Sequence, residues 1–582
     1  MNNAIKQFWK NIDDQKEENP NYVSPKEGEY FIAWKIMLSN INPTTRLILM
    51  IDAKTGQILN VIDLLKYSTG KVRIFDPNPT ISSGDITLSK MTSESTLSKY
   101  LREEDINNIN DPVNGIFILA GKYVKMKELE SPSFTEPKSP NGEFIYNLND
   151  RKFLCANAYY HIDKFLNYLV NDVQLTEFSD FSIPIDPQGV DGEDNSHYDP
   201  VDKYIAFGED GVPDASDGQV VVHELCHALF DHINPGFDNA RAGNNEGNAD
   251  TGAAIYFDDK HFNPNRTRGL MMPWDASPFG TPQASWPGRR YDMNWRFDQP
   301  EYTNVTDPHK TGQLICSTVF ELYRKMGGDS ENSLVKQAAR DLSLRLLFMA
   351  ISRLPRRNSI SIHLEQEIEA ADSNLNGWRY PDGLHRKVIY DTFLRRHTGG
   401  YIPKETDIYI EDGRHGGYGS LSSEDEFSEK LWKEDYWNKG EIWTKPEPYS
   451  DNSLQQKGSP VDHKKPIIGV SINLYVKVKN KGNKTSGSGP ANILAYRTKK
   501  GKESVFPDDY VQIGSLTIPN IIPGIERGVV VGPFKYVPEG ENDAVLIIAE
   551  CDEDQSITKN RNSSISCLNL VPFDNNIGMR IL

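Results

Sequence analysis

Cysteine is scarce in this chain: 5 among 582 residues, at Cys155, Cys226, Cys316, Cys551 and Cys567. The number is odd and no two stand as C-x-x-C, so no disulfide framework is expected and stability must come from buried apolar surface. A Cys551–Cys567 bridge would require their strands to be neighbours. Long apolar runs are also missing. Nothing reaches the roughly 18 apolar residues of a transmembrane helix, so no membrane span is expected. Positive charge is in deficit, with Lys+Arg 64 against Asp+Glu 82 and a formal net charge of -18. That balance argues against nucleic acid or an anionic membrane as the main partner. Residues 1–10 lead into a polar, charged stretch without the apolar core of a secretory signal. What is present is 37% hydrophobic and 10% aromatic, enough for three or four packed domains and too much for global disorder.

The chain is organised around Val221-Val222-His223-Glu224-Leu225-Cys226-His227-Ala228-Leu229-Phe230. As a helix, this stretch sends His223 and His227 from one face, one turn apart, where two neutral imidazoles can share a zinc ion. Glu224 is offset by one position. It can reach the open side of the metal without being a ligand, which is where the general base for a zinc-bound water belongs. The alternative is a pair of core histidines spaced by four. Downstream, Asn244-Asn245-Glu246-Gly247-Asn248-Ala249-Asp250 places Glu246 and Asp250 at i and i+4 on a second, small-residue helix. A catalytic zinc takes three protein ligands and leaves one position for water, and His223, His227 and Glu246 make three. Asp250 is then placed to hold the other ring N–H of a ligand histidine. Cys226 is expected to point away from the histidines as a small buried thiol.

These residues resemble the thermolysin-like zinc peptidases (gluzincins), and more closely their fungalysin branch. The resemblance rests on H-E-x-x-H followed by E-x-x-x-D, on the approach Gly211-Val212-Pro213-Asp214-Ala215-Ser216-Asp217, and on His309-Lys310-Thr311-Gly312 opening a later helix. It implies a metalloendopeptidase acting on protein or peptide substrates, with a mostly helical second lobe carrying long helices at residues 332–354 and 363–400. It also implies that His309 stabilises the oxyanion, and that an Arg beyond Glu246, either Arg289 or Arg290, assists. A Tyr found in thermolysin nine residues before the third ligand is Phe237 here, so a hydroxyl in that role must come from elsewhere. Such peptidases are mostly secreted, which the N-terminal stretch does not match. A removed leader, another export route and action inside the cell all stay open.

The expected fold class is multidomain α+β. Residues 1–63, with strands in 28–63 and a turn at Asp52-Ala53-Lys54-Thr55-Gly56, resemble a propeptide-like (PepSY-like) module that would chaperone or inhibit the catalytic unit, or simply pack on it. Residues 64–403 form the peptidase domain, with a helix at 153–169 whose His161 reads as a core residue. The acidic loop 186–217, with Asp191, Glu193, Asp194, Asp210, Asp214 and Asp217, offers Ca²⁺ a site but lacks EF-hand spacing. The Pro-, Trp- and Arg-rich stretch 256–308 is expected to wall a substrate cleft, and His232 and His261 are not expected to be ligands. Residues 404–466 read as a polar connector. Residues 467–582 alternate with period two and resemble an immunoglobulin-like, CARDB-like β-sandwich. That sandwich is either a structural cap or a module for a surface, polymer or protein partner. Two further readings compete: an adhesion protein using the zincin fold as a scaffold, and an accessory component of an export or toxin assembly.

Overall fold

The computed structural model describes residues 33–582 apart from 42–43, 54–55, 57, 64–67, 238–241, 282–285, 300–304, 356–360, 377–382, 397–405, 412–429, 433, 435–440, 447–457, 481, 483–489, 519, 524–527 and 560–562. It is a mixed α and β molecule with several separate sheets. None of its described helices is long and apolar enough to cross a membrane. All five thiols are free and buried, Cys551 and Cys567 included.

Strands Ala33–Ile41, Thr44–Asp52 and Ile58–Asp63 form an antiparallel sheet of their own. The expected turn after Asp52 closes with Gly56 N–H donating to Asp52 O at 2.9 Å. Gly56 there has φ +73°, a backbone that suits glycine. The rest of the propeptide-like module, residues 1–32, lies outside the described residues.

Helix α1 (Lys152–Asn171) is buried along most of its length. One side of it packs on the strand Ser68–Ile74 and on the strand Val124–Met126. The latter belongs to a four-stranded sheet in the order Ser196–Asp199, Tyr204–Phe207, Ile183–Asp186, Val124–Met126. Its other neighbour is helix α2 (Gly218–Ile233), so the metal-motif helix is the central rod of this lobe. His161 of α1 is a core residue as expected: it is 1% exposed, with Nε2 2.8 Å from Phe75 O. Burial pushes its pKa down to about 4.

Helix α3 (Ala242–Tyr256) runs between α2 and α4 (Pro308–Tyr323), and the second lobe continues with α5 (Ser333–Ile351), α6 (Ser361–Asn376) and α7 (Arg386–Arg395). The long helix expected over 363–400 is therefore two. Between them Gly383 sits at φ +84°, a backbone no α-helix can pass through. The turn is pinned where Asp372 accepts from His385 N at 2.6 Å and faces His385 Nδ1 at 2.8 Å.

The sandwich begins earlier than residue 467. Strands Ile408–Tyr409 and Ile442–Pro446, both inside the stretch expected as a connector, pair antiparallel with Ile472–Asn480, whose other edge carries Gly528–Tyr536. They join because their apolar residues are anchors: Trp443 is buried and stacks on Tyr475 at 6.0 Å between ring centroids. The facing sheet runs Val511–Ile518, Ala491–Thr498, Ala544–Glu550, Ile577–Ile581. Its strand Ala544–Glu550 is buried on both faces. Val545, Ile547 and Ala549 point between the sheets, whereas Ala544, Leu546 and Ile548 join the core of the helical lobe. A near-continuous apolar run, Ala-Val-Leu-Ile-Ile-Ala, is what such a strand requires.

Candidate active site

The metal-motif helix α2 starts where Asp217 accepts from Gln219 N at 2.9 Å, an N-cap reinforced by Asn78 Nδ2 at 3.0 Å. It stops at Asn234, whose side chain donates to Ile351 O and Leu354 O at 2.8 and 2.9 Å. Between these caps every residue from Gly218 to Asp231 is buried. The one-turn spacing brings His223 Nε2 and His227 Nε2 3.0 Å apart.

Helix α3 has almost no amphipathic character because it is packed on both sides. A Cβ at Gly252 would stand 2.5 Å from Cys226 Sγ of α2, and a Cβ at Gly247 would stand 2.4 Å from Gly312 O of α4. Only glycine permits these approaches. Cys226 thus fills the α2–α3 contact, and burial pushes its thiol well above the ordinary value, as expected for a packing residue. The same approach of α3 delivers Glu246, with Oε2 3.3 Å from His223 Nε2 and Oε1 3.7 Å from His227 Nε2.

His223, His227 and Glu246 each aim a donor atom into one space, all within 4.8 Å of one another. Donors held at about 2.0–2.1 Å by one tetrahedral zinc stand about 3.4 Å apart, so the spacings of 3.0–3.7 Å suit that ion. Two imidazole nitrogens and a carboxylate are also a donor set that catalytic zinc sites use. Burial alone would raise the pKa of Glu246; the His227 and His223 rings outweigh it and hold the carboxyl below its usual range.

Asp250, one turn after Glu246, lies 2.9 Å from His223 Nδ1. That contact keeps the proton on Nδ1 and leaves the Nε2 lone pair for a metal. Of the two arginines left open by the sequence, Arg289 is the one that stands at Asp250. Its guanidinium meets Asp250 twice, at 2.9 and 2.8 Å, and lies over the Trp286 ring at 5.5 Å. Arg290 turns the other way, to Asp292 at 2.7 Å. The cause is strand alternation in the two-residue ladder Leu270↔Arg290 and Met271↔Arg289.

Glu224 has its Oε1 4.0 Å from His223 Nε2 and lines the same cleft, next to the ligands but not among them. His309 is set by the first turn of α4, where Asp307 accepts from His309 N at 3.0 Å and Pro308 occupies the first helical position. Its side chain is half-exposed, with Nε2 3.4 Å from Glu246 Oε2. Phe237 is buried in the core against Phe230. Tyr198 lines the cleft, with its hydroxyl donated to Asp231 at 2.9 Å. His232 meets Phe181 edge-to-face at 5.1 Å and His261 faces Thr267 Oγ1 at 2.8 Å, and neither joins the cluster of His223, His227 and Glu246.

These groups surround a cleft of about 890 Å³, and Met272, Phe279, Trp286 and Trp295 from the irregular stretch wall it. Of the acidic loop, Asp194 and Asp214 come together at this cleft, and Asp275, which the sequence reading did not single out, joins them from the wall stretch. No protein-family model and no curated protein matches this chain.

Proposed function

We propose that the protein is a zinc-dependent endopeptidase, with residues 64–403 forming a thermolysin-like catalytic unit of the fungalysin type. The observation that carries this reading is the convergence of His223 Nε2, His227 Nε2 and Glu246, with Glu224 at the rim of the same space. Zn²⁺ held by those three residues supplies a Lewis acid that polarises a peptide carbonyl and acidifies water.

The remaining steps belong to the chain. Glu224 takes the proton from the attacking water and passes it to the departing amine. His309, at the open mouth, donates to the carbonyl oxygen as it gains negative charge. Asp250 keeps the His223 proton on Nδ1, and Arg289 holds Asp250 in place while presenting its guanidinium beside Trp286 on the cleft wall. The sandwich acts mainly as a structural cap, a role supported by the burial of Leu546, Ile548 and Phe573 in the core shared with the helical lobe.

The test is paired. Purified wild type and Glu224→Ala should each carry about one zinc per chain, while casein cleavage falls about 10²–10⁴-fold in the variant. Phenanthroline should abolish cleavage by wild type. Zinc without cleavage in wild type would shift attention to inhibition by residues 1–63, examined by removing them. Absence of zinc from both proteins would overturn the reading.

A further inference from the structure

Beside the zinc ligands the cleft contains a second set of metal-competent groups. Asp194 comes from the acidic loop, Asp214 from the turn that opens α2, and Asp275 from the wall stretch that later carries Trp286 and Arg289. Each offers a carboxylate oxygen, and the three oxygens lie within 4.8 Å of one another. Asp214 is 3% exposed and Asp275 is 7% exposed. One oxygen of each is satisfied: Asp214 Oδ2 accepts from Ser196 Oγ, and Asp275 Oδ2 accepts from Trp286 Nε1 at 2.9 Å. The other oxygen of each, Oδ1, has no solvent exposure and no hydrogen-bond donor. Among the described residues no Lys, Arg or His forms an ion pair with any of the three. Asp217 lies just beneath, accepting from Asp275 N at 3.3 Å, and adds a further negative charge. Burial, then repulsion by Asp214 and Asp217, pushes Asp275 well above the usual carboxylate range.

A buried carboxylate oxygen without a donor is costly, and two on carboxylates of one cluster more so, which calls for a positive charge shared by the cluster. A substrate Lys or Arg cannot supply it, because the orphaned atoms have no accessible surface for a side chain to touch. A bare ion can. Oxygens bound to one Ca²⁺ at about 2.4 Å are never more than about 4.8 Å apart, and hard, all-oxygen donors favour Ca²⁺ over a transition metal. The cleft leaves room for waters to complete its shell.

We propose that Asp194, Asp214 and Asp275 form a Ca²⁺ site that clamps the acidic loop and the Trp286–Arg289 wall onto the start of the metal-motif helix. It is separate from the zinc ligands and holds whether or not the chain cleaves peptides.

The test uses the full chain loaded with one equivalent of Zn²⁺ and titrated with Tb³⁺, a luminescent stand-in for Ca²⁺. The Trp286 indole, bonded to Asp275, is close enough to sensitise the lanthanide. Emission should saturate at one Tb³⁺ per chain and be displaced by CaCl₂. CaCl₂ alone, at about a hundredfold excess over Kd, should raise Tm by roughly 2 °C. Asp275→Asn should abolish both effects. Asp194→Asn, at a half-exposed position that does not endanger folding, should weaken Tb³⁺ binding at least tenfold. The proposal is overturned by no saturable emission, or by wild-type affinity in Asp194→Asn. It is equally overturned by a Tm indifferent to CaCl₂ but rising on acidification, which would show that Asp214 and Asp275 share a proton instead.

Discussion

Asp250 joins two buried groups, orienting His223 through Nδ1 and holding Arg289 through both carboxylate oxygens. Asp250→Asn keeps the shape but removes the charge. Zinc affinity, read by chelator competition, should fall by about 10–100-fold. Stability in a denaturant titration should drop by about 3–5 kcal/mol, because Arg289 is left as a buried cation without its carboxylate. Two other histidines set the acid limit. Burial holds His161 and His261 each at a pKa of about 4, so both are neutral in the fold and charged in the unfolded chain below about pH 6.5. Their contribution is complete above about pH 6.5 and is lost as the pH falls to about 4, at up to about 1.4 kcal/mol per pH unit for each histidine. Stability measured by denaturation across that window should show this slope, flattening below it. At this scale the site was legible wherever one helix carries the geometry: His223, Glu224 and His227 follow from spacing alone. The choice of Arg289 over Arg290 needed the register of a two-residue ladder, and Asp275 belongs to a stretch with no periodicity. Neither leaves a trace in local sequence.

At the scale of elements, the catalytic geometry depends on how closely α3 approaches its neighbours. A Cβ at Gly312 would lie 2.7 Å from Gly247 N and 3.1 Å from Glu246 Cβ, so backbone must move. Gly312→Ala is expected to displace the first turn of α4, with His309, away from Glu246. Overpacking of this kind costs about 1–3 kcal/mol, visible as a lower Tm, and cleavage should fall further than stability does. The long helices of the lobe were expected at residues 332–354 and 363–400 from the resemblance, and the start of α4 from His309-Lys310-Thr311-Gly312. The break between α6 and α7 was overlooked although Pro381-Asp382-Gly383 is a turn-forming run, because apolar residues resume beyond it. Short strands such as Ile408–Tyr409 were hidden for another reason: two residues cannot show a period of two, and their partner lies about seventy residues away in Ile472–Asn480.

At the scale of the molecule, the sandwich and the helical lobe are fastened at Lys387 of α7. Its ammonium, mostly buried, meets Asp574 at 3.0 Å and Asp554 at 3.4 Å, and it also donates to Asn576. From α7 the connection continues to α4, through Arg396 to Glu321 at 2.8 Å and through Asp391 to Lys325 at 3.3 Å. Lys387→Met leaves two buried carboxylates without their cation and should cost about 3–5 kcal/mol. Calorimetry should show the lobe and the sandwich melting as one transition in wild type and separating in the variant. The junction also imposes an order in time. Asp554 and Asn576 follow Lys387 by 167 and 189 residues. A ribosome adding about 5–20 residues per second needs on the order of 10–40 s to make that length. During that interval α7 has been synthesised but lacks its counter-charges, and α4 lacks a settled support for His309. A chain built this way stays incomplete on the ribosome and gains its final shape only once the sandwich has been made.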